Sequence, residues 1–392
     1  MPAPTTTTSA GRGSSLTPYM VLPMKIASVE AIPLAASFKQ VFRFGTIDRS
    51  TSPNVIVRIA TDDGVVGYGE ACPVQAFTSE TQASVVELVE TRVAPTLVGR
   101  DASQRLPRLA DLARVLRFAP FTIAAVDTAL LDLLGRHAGV PVATLLGGAF
   151  RDRVEVHGSV TWDEDPARVV ESALEQRETY RWLKLYAGRD EVDRDLDRLQ
   201  AVRDAVGPDA RLMVDINGMW GPSDAIRALD RIRAIGLELL EQPLPPGAEP
   251  FQRDLVARLA IDVAADESVR SVADAVSVVR QRTATVVNVG LSKLGGPTAG
   301  LQAAQVAAAG GVGVMVGSVI EMGIASAMGL HLAAALPHLA YPSYLMSPLK
   351  YREQITAEQI AVVDAHVAVS TGPGLGIEVD EDALRHLDAR RR

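Results

Sequence analysis

Residues 211–268 contain RLMVDINGMW (211–220), LELLEQPLPPG (237–247) and IDVAADES (261–268), three apolar runs that each lead into acidic residues. Asp215, Glu241 and Asp266 close these runs, at spacings of 26 and 25 residues. Such a spacing accommodates one strand, one helix and two loops. It predicts consecutive units of a parallel (β/α) barrel, in which neighbouring strand ends share one face.

Three carboxylates on one rim repel each other unless a cation lies between them. Hard oxygen ligands of this kind suit Mg²⁺, which keeps further positions for water or substrate oxygens, and Mn²⁺ is the alternative ion. A single acidic residue after a buried strand is more often a helix N-cap or an ion-pair partner. Three of them in consecutive units favour a shared metal site.

The composition is that of an ordinary globular protein, with 392 residues, 47% hydrophobic and 22% charged. A net charge of −8 gives no reason to expect nucleic acid or an anionic membrane as partner. The single cysteine, Cys72, fits a reducing compartment, so we expect a cytoplasmic protein, and we expect it to be a homo-oligomer. Residues 1–23 are rich in Thr, Ser, Pro and Gly and predict a disordered tail.

From Met24 the pattern is α+β. Residues 25–38 and 54–73 predict strands, SETQASVVELVETRVAPTLVG (79–99) predicts a helix that begins at Ser79, and 118–135 predicts a long buried helix. Residues 38–54 lie between the first strands and are interpreted as a long loop. We expect this loop to reach the metal site and to help select the substrate.

From Val154 the pattern changes to strands that alternate with amphipathic helices. Besides the three runs above, the predicted strands are VEVHGSV (154–160), RWLKLYAG (181–188), ATVVNVG (284–290), VGVMVGS (312–318) and a last one near 338–344. We therefore expect a capping region over 24–149, a barrel of seven or eight units over 150–346, and a C-terminal segment, 347–392, that returns to the cap.

Several motifs together resemble those of the enolase superfamily, and most closely its muconate-lactonizing (muconate cycloisomerase) and mandelate racemase-like members. They are GYGEACP (67–73), AAVDTALLDLLGR (124–136), PVATLLGG (141–148), VDINGMW (214–220), EQPLPP (241–246), ADES (265–268), LSKLGG (291–296), GSVIEMGI (317–324) and GPGLGIEVDEDAL (372–384). The resemblance implies an α/β fold, a modified TIM-type barrel with an α+β capping domain.

The resemblance also implies a chemistry. A divalent metal, normally Mg²⁺, binds the carboxylate of a small substrate, a base removes the α-proton, and the metal stabilises the resulting enediolate. The implied metal ligands are Asp215, Glu241 and Asp266, with Asn217 and Glu267 next to them.

Two family lysines are missing from the motifs. The second barrel strand of the family carries Lys-x-Lys, whereas this chain has Lys184 followed by Tyr186. The sixth strand of the family carries a lysine where this chain has Gly290, which predicts a gap on one face of the substrate. Lys293 lies three residues further on, with the opposite strand parity, and is interpreted as a surface or loop residue.

The remaining candidates for catalysis are Lys184, Tyr186 and Glu321. Lys184 and Tyr186 are two residues apart on one strand, so both point into the barrel. Lys184 and the metal could lower the pKa of Tyr186 and make it a base, or Tyr186 could be a spacer while Lys184 pairs with a carboxylate. Glu321 matches the glutamate of the family's seventh strand. His331 is interpreted as a core residue, and His157 as a structural residue or a residue of the rim.

A site with acid–base groups on one face favours cycloisomerisation over racemisation. The expected function is therefore a metal-dependent isomerase of the cycloisomerase type. One alternative is a dehydratase, that is a lyase that acts on a hydroxy acid. The other is a catalytically altered or inactive homologue that binds metal and ligand. The sequence does not name the substrate.

Overall fold

The computed structural model describes residues 24–391. The disordered tail expected for 1–23 lies outside the described residues. Within 24–391, no helix combines the length and the apolar character that crossing a membrane requires.

The N-terminal part of the structure packs helices against an antiparallel sheet. Its strands are β1 (Ile26–Pro33), β2 (Ala36–Phe44), β3 (Ile47–Ser52), β4 (Val55–Thr61) and β5 (Val66–Ala71), and the sheet order is β1-β4-β5. Its helices are α1 (Gln82–Leu88), α2 (Ala94–Leu97), α3 (Arg105–Val115), α4 (Pro120–Ala138) and α5 (Val142–Leu145). The buried helix α4 lies directly on β5. The two are so close that a Cβ at Gly69 would come within 1.8 Å of the Ala125 carbonyl oxygen.

Two details differ from the sequence-based expectations. The helix expected from Ser79 begins at Gln82, because the Thr81 hydroxyl accepts the Ser84 backbone N–H and caps the helix one turn later. Residues 38–54 are not a loop, since β2 and β3 pair as an antiparallel hairpin across them. The hairpin buries Phe42 and Phe44 on one side, and Gly45 turns it with a φ of +46°.

A curled parallel sheet of seven strands follows. Its strands, in the order of the sheet, are β7 (Gly158–Val160), β8 (Trp182–Tyr186), β9 (Arg211–Asp215), β10 (Leu239–Glu241), β11 (Asp262–Ala265), β12 (Val286–Gly290) and β13 (Gly313–Gly317), after a short outer strand β6 (Arg153–Glu155). The helices of this part are α6 (Pro166–Arg177), α7 (Val192–Val206), α8 (Pro222–Ile235), α9 (Glu249–Arg258), α10 (Val272–Gln281), α11 (Leu291–Leu294), α12 (Pro297–Ala309) and α13 (Gly323–Ala335).

The last strand expected near 338–344 is an extended segment rather than a regular strand. The Tyr344 N–H donates to the Val316 carbonyl at 3.0 Å, and the Ser343 N–H donates to the Glu155 carbonyl at 2.9 Å. This segment therefore bridges β13 and β6 and closes the barrel with backbone hydrogen bonds on both sides.

An apolar layer fills the lower part of the barrel. It consists of Trp182, Met213, Leu239, Ala264, Val286, Met315 and Tyr341. Because side chains two residues apart on a strand share a face, the inward residues above this layer lie at the carboxyl ends of the strands. That is the face where barrels of this kind place their chemistry.

The C-terminal segment contains β14 (Val362–Val363), β15 (His366–Ala368) and α14 (Glu381–Leu387). It pairs β15 with β6 and bridges Phe38 to Tyr351 and Leu34 to Asp388, so it contacts both the barrel and the N-terminal sheet. The expected barrel with an α+β region is confirmed. The boundaries 24–149, 150–346 and 347–392 stay a prediction.

Candidate active site and metal centre

Three carboxylates meet at the carboxyl ends of adjacent strands. Asp215 ends β9, Glu241 ends β10 and Asp266 follows β11, and all three side chains are buried. One carboxylate oxygen from each lies within 4.8 Å of the other two. The sequence predicted this meeting of Asp215, Glu241 and Asp266 at one rim, and the geometry agrees.

The carboxylates disfavour each other's charge. Burial, followed by repulsion from Glu241, raises the pKa of Asp215 to about 7. Burial also raises the pKa of Asp266, and burial with the charges of Asp266 and Asp215 raises the pKa of Glu267 well above its usual value. Among residues 24–391, no group hydrogen-bonds to the buried atoms Asn217 Oδ1 and Glu267 Oε2. Oxygen atoms that carry mutually repelling negative charge are suitable ligands for a divalent cation.

Amide side chains hold the carboxylates in place. The Asn217 backbone N–H donates to Asp215 Oδ1 at 2.9 Å, and its side-chain Nδ2 donates to Glu267 Oε1 at 3.1 Å. Asn288 Nδ2 donates to Glu241 Oε1 at 2.7 Å, and Gln242 Oε1 accepts the Asp266 N–H at 2.9 Å. The sequence analysis missed Asn288, although a lone amide in the apolar strand VVNVG with the inward parity of Gly290 was a signal.

Lys184 is a charge partner of the carboxylates. Its Nζ lies 2.9 Å from Asp215 Oδ2 and 2.8 Å from Glu241 Oε2. Burial alone would disfavour the ammonium, but Asp215 and Glu241 outweigh it and hold the pKa of Lys184 well above its usual value. Lys184 points into the barrel as expected, and the two carboxylates favour its ammonium form.

Lys293 is not a surface or loop residue. Its side chain is 1% exposed, and its Nζ lies 2.5 Å from Asp266 Oδ1 and 2.6 Å from the Asp266 carbonyl oxygen. Strand parity misleads here because the strand ends at Gly290 and the chain turns at once into α11. The expected gap at Gly290 is also absent, since a Cβ there would lie 2.9 Å from Lys293 Cε.

Tyr186 packs against the hairpin that covers the barrel. Its ring centroid lies 5.3 Å from that of Phe42 and 6.3 Å from that of Phe44. The Lys184 ammonium lies 5.4 Å from the centre of the Tyr186 ring. Burial outweighs Lys184 and raises the pKa of Tyr186 well above its usual value, so Lys184 alone does not lower it, and the lowering expected from Lys184 together with a metal ion stays a prediction. Tyr186 is therefore a neutral phenol at the site.

Glu321 is engaged away from the carboxylate cluster. Its Oε1 accepts the Ser292 hydroxyl at 2.8 Å, and its Oε2 accepts the Val319 N–H at 2.9 Å and the Ser318 hydroxyl. Three donors thus hold the carboxylate in the turn between β13 and α13. The structure does not place Glu321 among the residues that line the cavity.

A cavity of about 30 Å³ lies over the carboxylates. Its lining combines Phe42, Phe44 and Phe77 of the N-terminal region with residues of the barrel, including Lys184, Tyr186, Asp215, Asn217, Asp266 and Asn288. A Cβ at Gly45 would lie 3.3 Å from Asn217 Cβ, so the hairpin reaches the site, as the sequence analysis expected of residues 38–54.

The two histidines that the sequence analysis considered have different surroundings. His331 is a core residue, as expected, whose Nδ1 accepts the Ala143 N–H at 3.3 Å. His157 is fully buried and lines the cavity, a placement that the sequence left open.

Comparisons with known proteins match nearly the whole described chain. Residues 31–147 match the family model for the mandelate racemase/muconate lactonizing enzyme N-terminal domain, and 167–383 match the model for the enolase C-terminal domain-like family. Muconate cycloisomerase 1 of Rhodococcus opacus is 32% identical over 92% of this chain and 98% of its own length. A chloromuconate cycloisomerase of Pseudomonas putida is 30% identical over 93% of this chain and 99% of its own.

Solved structures agree with these matches. A muconate lactonizing enzyme from Pseudomonas fluorescens, complexed with muconolactone, superposes with a TM-score of 0.90 at 32% identity, covering 93% of this chain and 100% of that one. An N-succinyl Arg/Lys racemase from Bacillus cereus superposes with a TM-score of 0.89 at 26% identity, covering 93% and 98%. The resemblance drawn from the motifs is confirmed, and so is the fold class.

Proposed function

The chain belongs to the mandelate racemase/muconate lactonizing enzyme family of the enolase superfamily, and on that premise we propose that it is a Mg²⁺-dependent cycloisomerase of a small unsaturated carboxylate. The observation that carries the proposal is the buried cluster of Asp215, Glu241 and Asp266 under a cavity whose proton donor, Tyr186, is a neutral phenol. The two sequence relatives named above, from Rhodococcus opacus and Pseudomonas putida, are a muconate and a chloromuconate cycloisomerase, which supports this reaction class.

Asp215, Glu241 and Asp266 would hold the ion, with Asn217 and Glu267 beside them. Bound Mg²⁺ supplies positive charge to the substrate carboxylate and so stabilises negative charge that develops next to it, and Mn²⁺ is the alternative ion. The protein contributes the fixed geometry, since Asn288 and Lys293 each hold one ligand in place.

Ring closure requires a proton at the carbon next to the carboxylate. In the cyclising direction, a second group of the substrate forms a bond to the far alkene carbon, and the carbon next to the carboxylate takes up one proton. We assign this proton to the Tyr186 hydroxyl, which regains it from solvent. The phenolate left behind would lie near the Lys184 ammonium, which stabilises it.

At Gly290, where the family's second lysine is replaced, the described residues 24–391 place no free acid–base group. The aliphatic chain of Lys293 fills the space at Gly290, and its ammonium is held by Asp266. Racemisation requires proton transfer on both faces, so this arrangement favours a reaction that uses one.

The proposal is tested by assaying unsaturated carboxylates and the corresponding lactones after chelation and after Mg²⁺ or Mn²⁺ is restored. We expect ring closure or opening that depends on the ion and is lost in Tyr186→Phe. Dehydration of hydroxy acids without cyclisation would identify a lyase instead. Ligand binding without turnover of any carboxylate would identify a binding homologue.

We also propose that the chain forms a homo-oligomer in the cytoplasm. The side chains of Phe118 and Phe150 are 94% and 64% exposed, and a second copy would cover such apolar surface. Light scattering coupled to gel filtration tests the assembly.

A further inference from the structure

His157 lines the cavity and carries a buried hydrogen-bonding atom that no described group uses. The residue precedes β7, has no exposed surface and lines the cavity together with Lys184 and Tyr344. Its Nε2 is buried, and no group among residues 24–391 hydrogen-bonds to it. Buried polar atoms are nearly always paired, so an unpaired one in a residue that lines a ligand cavity points to a group that a bound ligand supplies.

The backbone fixes which ring nitrogen carries the proton. His157 Nδ1 lies 3.0 Å from the Gly158 carbonyl oxygen, which can only accept a hydrogen bond. Nδ1 therefore carries the proton and donates it, because the other tautomer would set two acceptors against each other. Nε2 is left with a lone pair that no group among residues 24–391 uses.

The surroundings keep the imidazole neutral. Burial, with a further contribution from the nearby Lys184 ammonium, lowers the pKa of His157 to about 3. The ring stacks on Tyr344 with centroids 5.3 Å apart and an interplanar angle of 19°, which holds its orientation.

We infer that the substrate carries a hydroxyl or amide N–H that donates to His157 Nε2 while its carboxylate faces the metal centre. The inference rests on the proposed function and narrows its substrate class. A second carboxylate at this position is disfavoured, because a carboxylate has no proton to donate and would face a lone pair. His157 Nε2 carries no proton, so it cannot protonate a hydroxyl that leaves the substrate. The hydroxyl or amide that donates to Nε2 therefore stays on the substrate through the reaction.

The test uses matched pairs of unsaturated carboxylates, in which a free hydroxyl is compared with its O-methyl ether and an acylated amino group with its N-methyl counterpart. Calorimetry in the presence of Mg²⁺ measures binding by the wild type, His157→Gln and His157→Leu. The wild type should prefer a donor-bearing member over its methylated partner by more than about tenfold. His157→Gln keeps an acceptor oxygen and should retain part of this preference, whereas in His157→Leu the ratio should fall to about one.

Nitrogen NMR of protein with isotope-labelled histidine gives a readout that does not depend on activity or on the fold of a variant. We expect a protonated Nδ1 and a bare Nε2 that does not titrate between about pH 5 and 8. A donor-bearing carboxylate should shift the Nε2 signal, and its methylated partner should not. A protonated Nε2 would overturn the inference.

The two proposals fail differently. Methylated and unmethylated carboxylates that bind and cyclise equally well would refute the hydrogen-bond donor and leave the cycloisomerase standing. Donor-dependent binding without turnover of any carboxylate would refute the cycloisomerase and leave the role of His157 standing.

Discussion

Replacing Asp215 with Asn should abolish the stabilisation of the fold by Mg²⁺. The substitution keeps the size of the side chain and removes one charge from the three-carboxylate cluster. The substitution also removes the charged partner Asp215 from Lys184, whose Nζ keeps Glu241 Oε2 at 2.8 Å. The remaining cluster offers the ion a neutral oxygen in place of a charged one, so its affinity should fall steeply.

The magnitude follows from linkage. An ion that binds only the folded state at about 100 times its Kd stabilises that state by about 2.7 kcal/mol. With an unfolding entropy of about 2.1 cal/mol/K per residue, a chain of 392 residues should melt about 3 °C higher. The wild type should show this rise, and Asp215→Asn should show none at the same Mg²⁺ concentration.

In chelated protein the variant should also change how stability depends on pH. The pKa of Asp215 is about 7 in the fold, against 3.8 ordinarily, mainly because the group is buried. Between these values the folded protein keeps a proton that the unfolded chain has lost, so the stability of the wild type falls as pH rises from about 4 to 7. At about 1.4 kcal/mol for each tenfold change in proton affinity, this difference amounts to roughly 4 kcal/mol. Asp215→Asn lacks the titrating group and should lose that component of the slope.

Thermal melting followed by circular dichroism, with chelator or with Mg²⁺, measures both effects. Asp230→Asn is the matched control, because that side chain is 95% exposed on α8 and pairs only with Arg233. The control should behave as the wild type does. An Asp215→Asn protein that Mg²⁺ stabilises as much as it stabilises the wild type would show that Asp215 is not a ligand.

Tyr186→Phe should lower kcat by about 100-fold or more through loss of the proton donor, while the Mg²⁺-dependent rise in Tm persists. Full activity in this variant, measured by steady-state kinetics, would make Tyr186 a spacer. In deuterium oxide, the wild type should place deuterium on one face of the carbon next to the carboxylate, as read by NMR, and formation of both configurations would contradict the one-sided site. Lys293→Met should destabilise chelated protein by about 3–5 kcal/mol, because Asp266 is left buried without its cation, and by less in excess Mg²⁺. Equal losses in urea unfolding under both conditions would show that Lys293 and the ion do not share the charge of Asp266.

The carboxylate cluster could be predicted because it depends on regular features. Asp215 and Glu241 end parallel strands, and Asp266 follows the next one, so residue spacing alone brings them to one rim. The inward direction of Lys184 and Tyr186 follows from the two-residue repeat of a strand. None of these statements needs knowledge of a distant contact.

The missed features depend on contacts that the local sequence does not contain. Lys293 lies beyond the end of β12, where strand parity stops, and its direction is set by Asp266. The hairpin over 38–54 is polar at many positions, and what orders it is burial of Phe42 and Phe44 against Tyr186. The tautomer of His157 depends on the rotamer that brings Nδ1 to the Gly158 carbonyl.

The charges of the site explain why neutral groups remain for proton chemistry. With Asp215, Glu241, Asp266 and Glu267 all ionised, the cluster carries four negative charges, and Lys184 and Lys293 supply two positive ones. One divalent ion would supply the other two before the substrate carboxylate is counted. Asp215 and Glu241 hold the pKa of Lys184 well above its usual value, so its ammonium form is favoured. The proposals above assign proton donation and hydrogen-bond acceptance to two side chains whose neutral forms burial favours, the phenol of Tyr186 and the imidazole of His157.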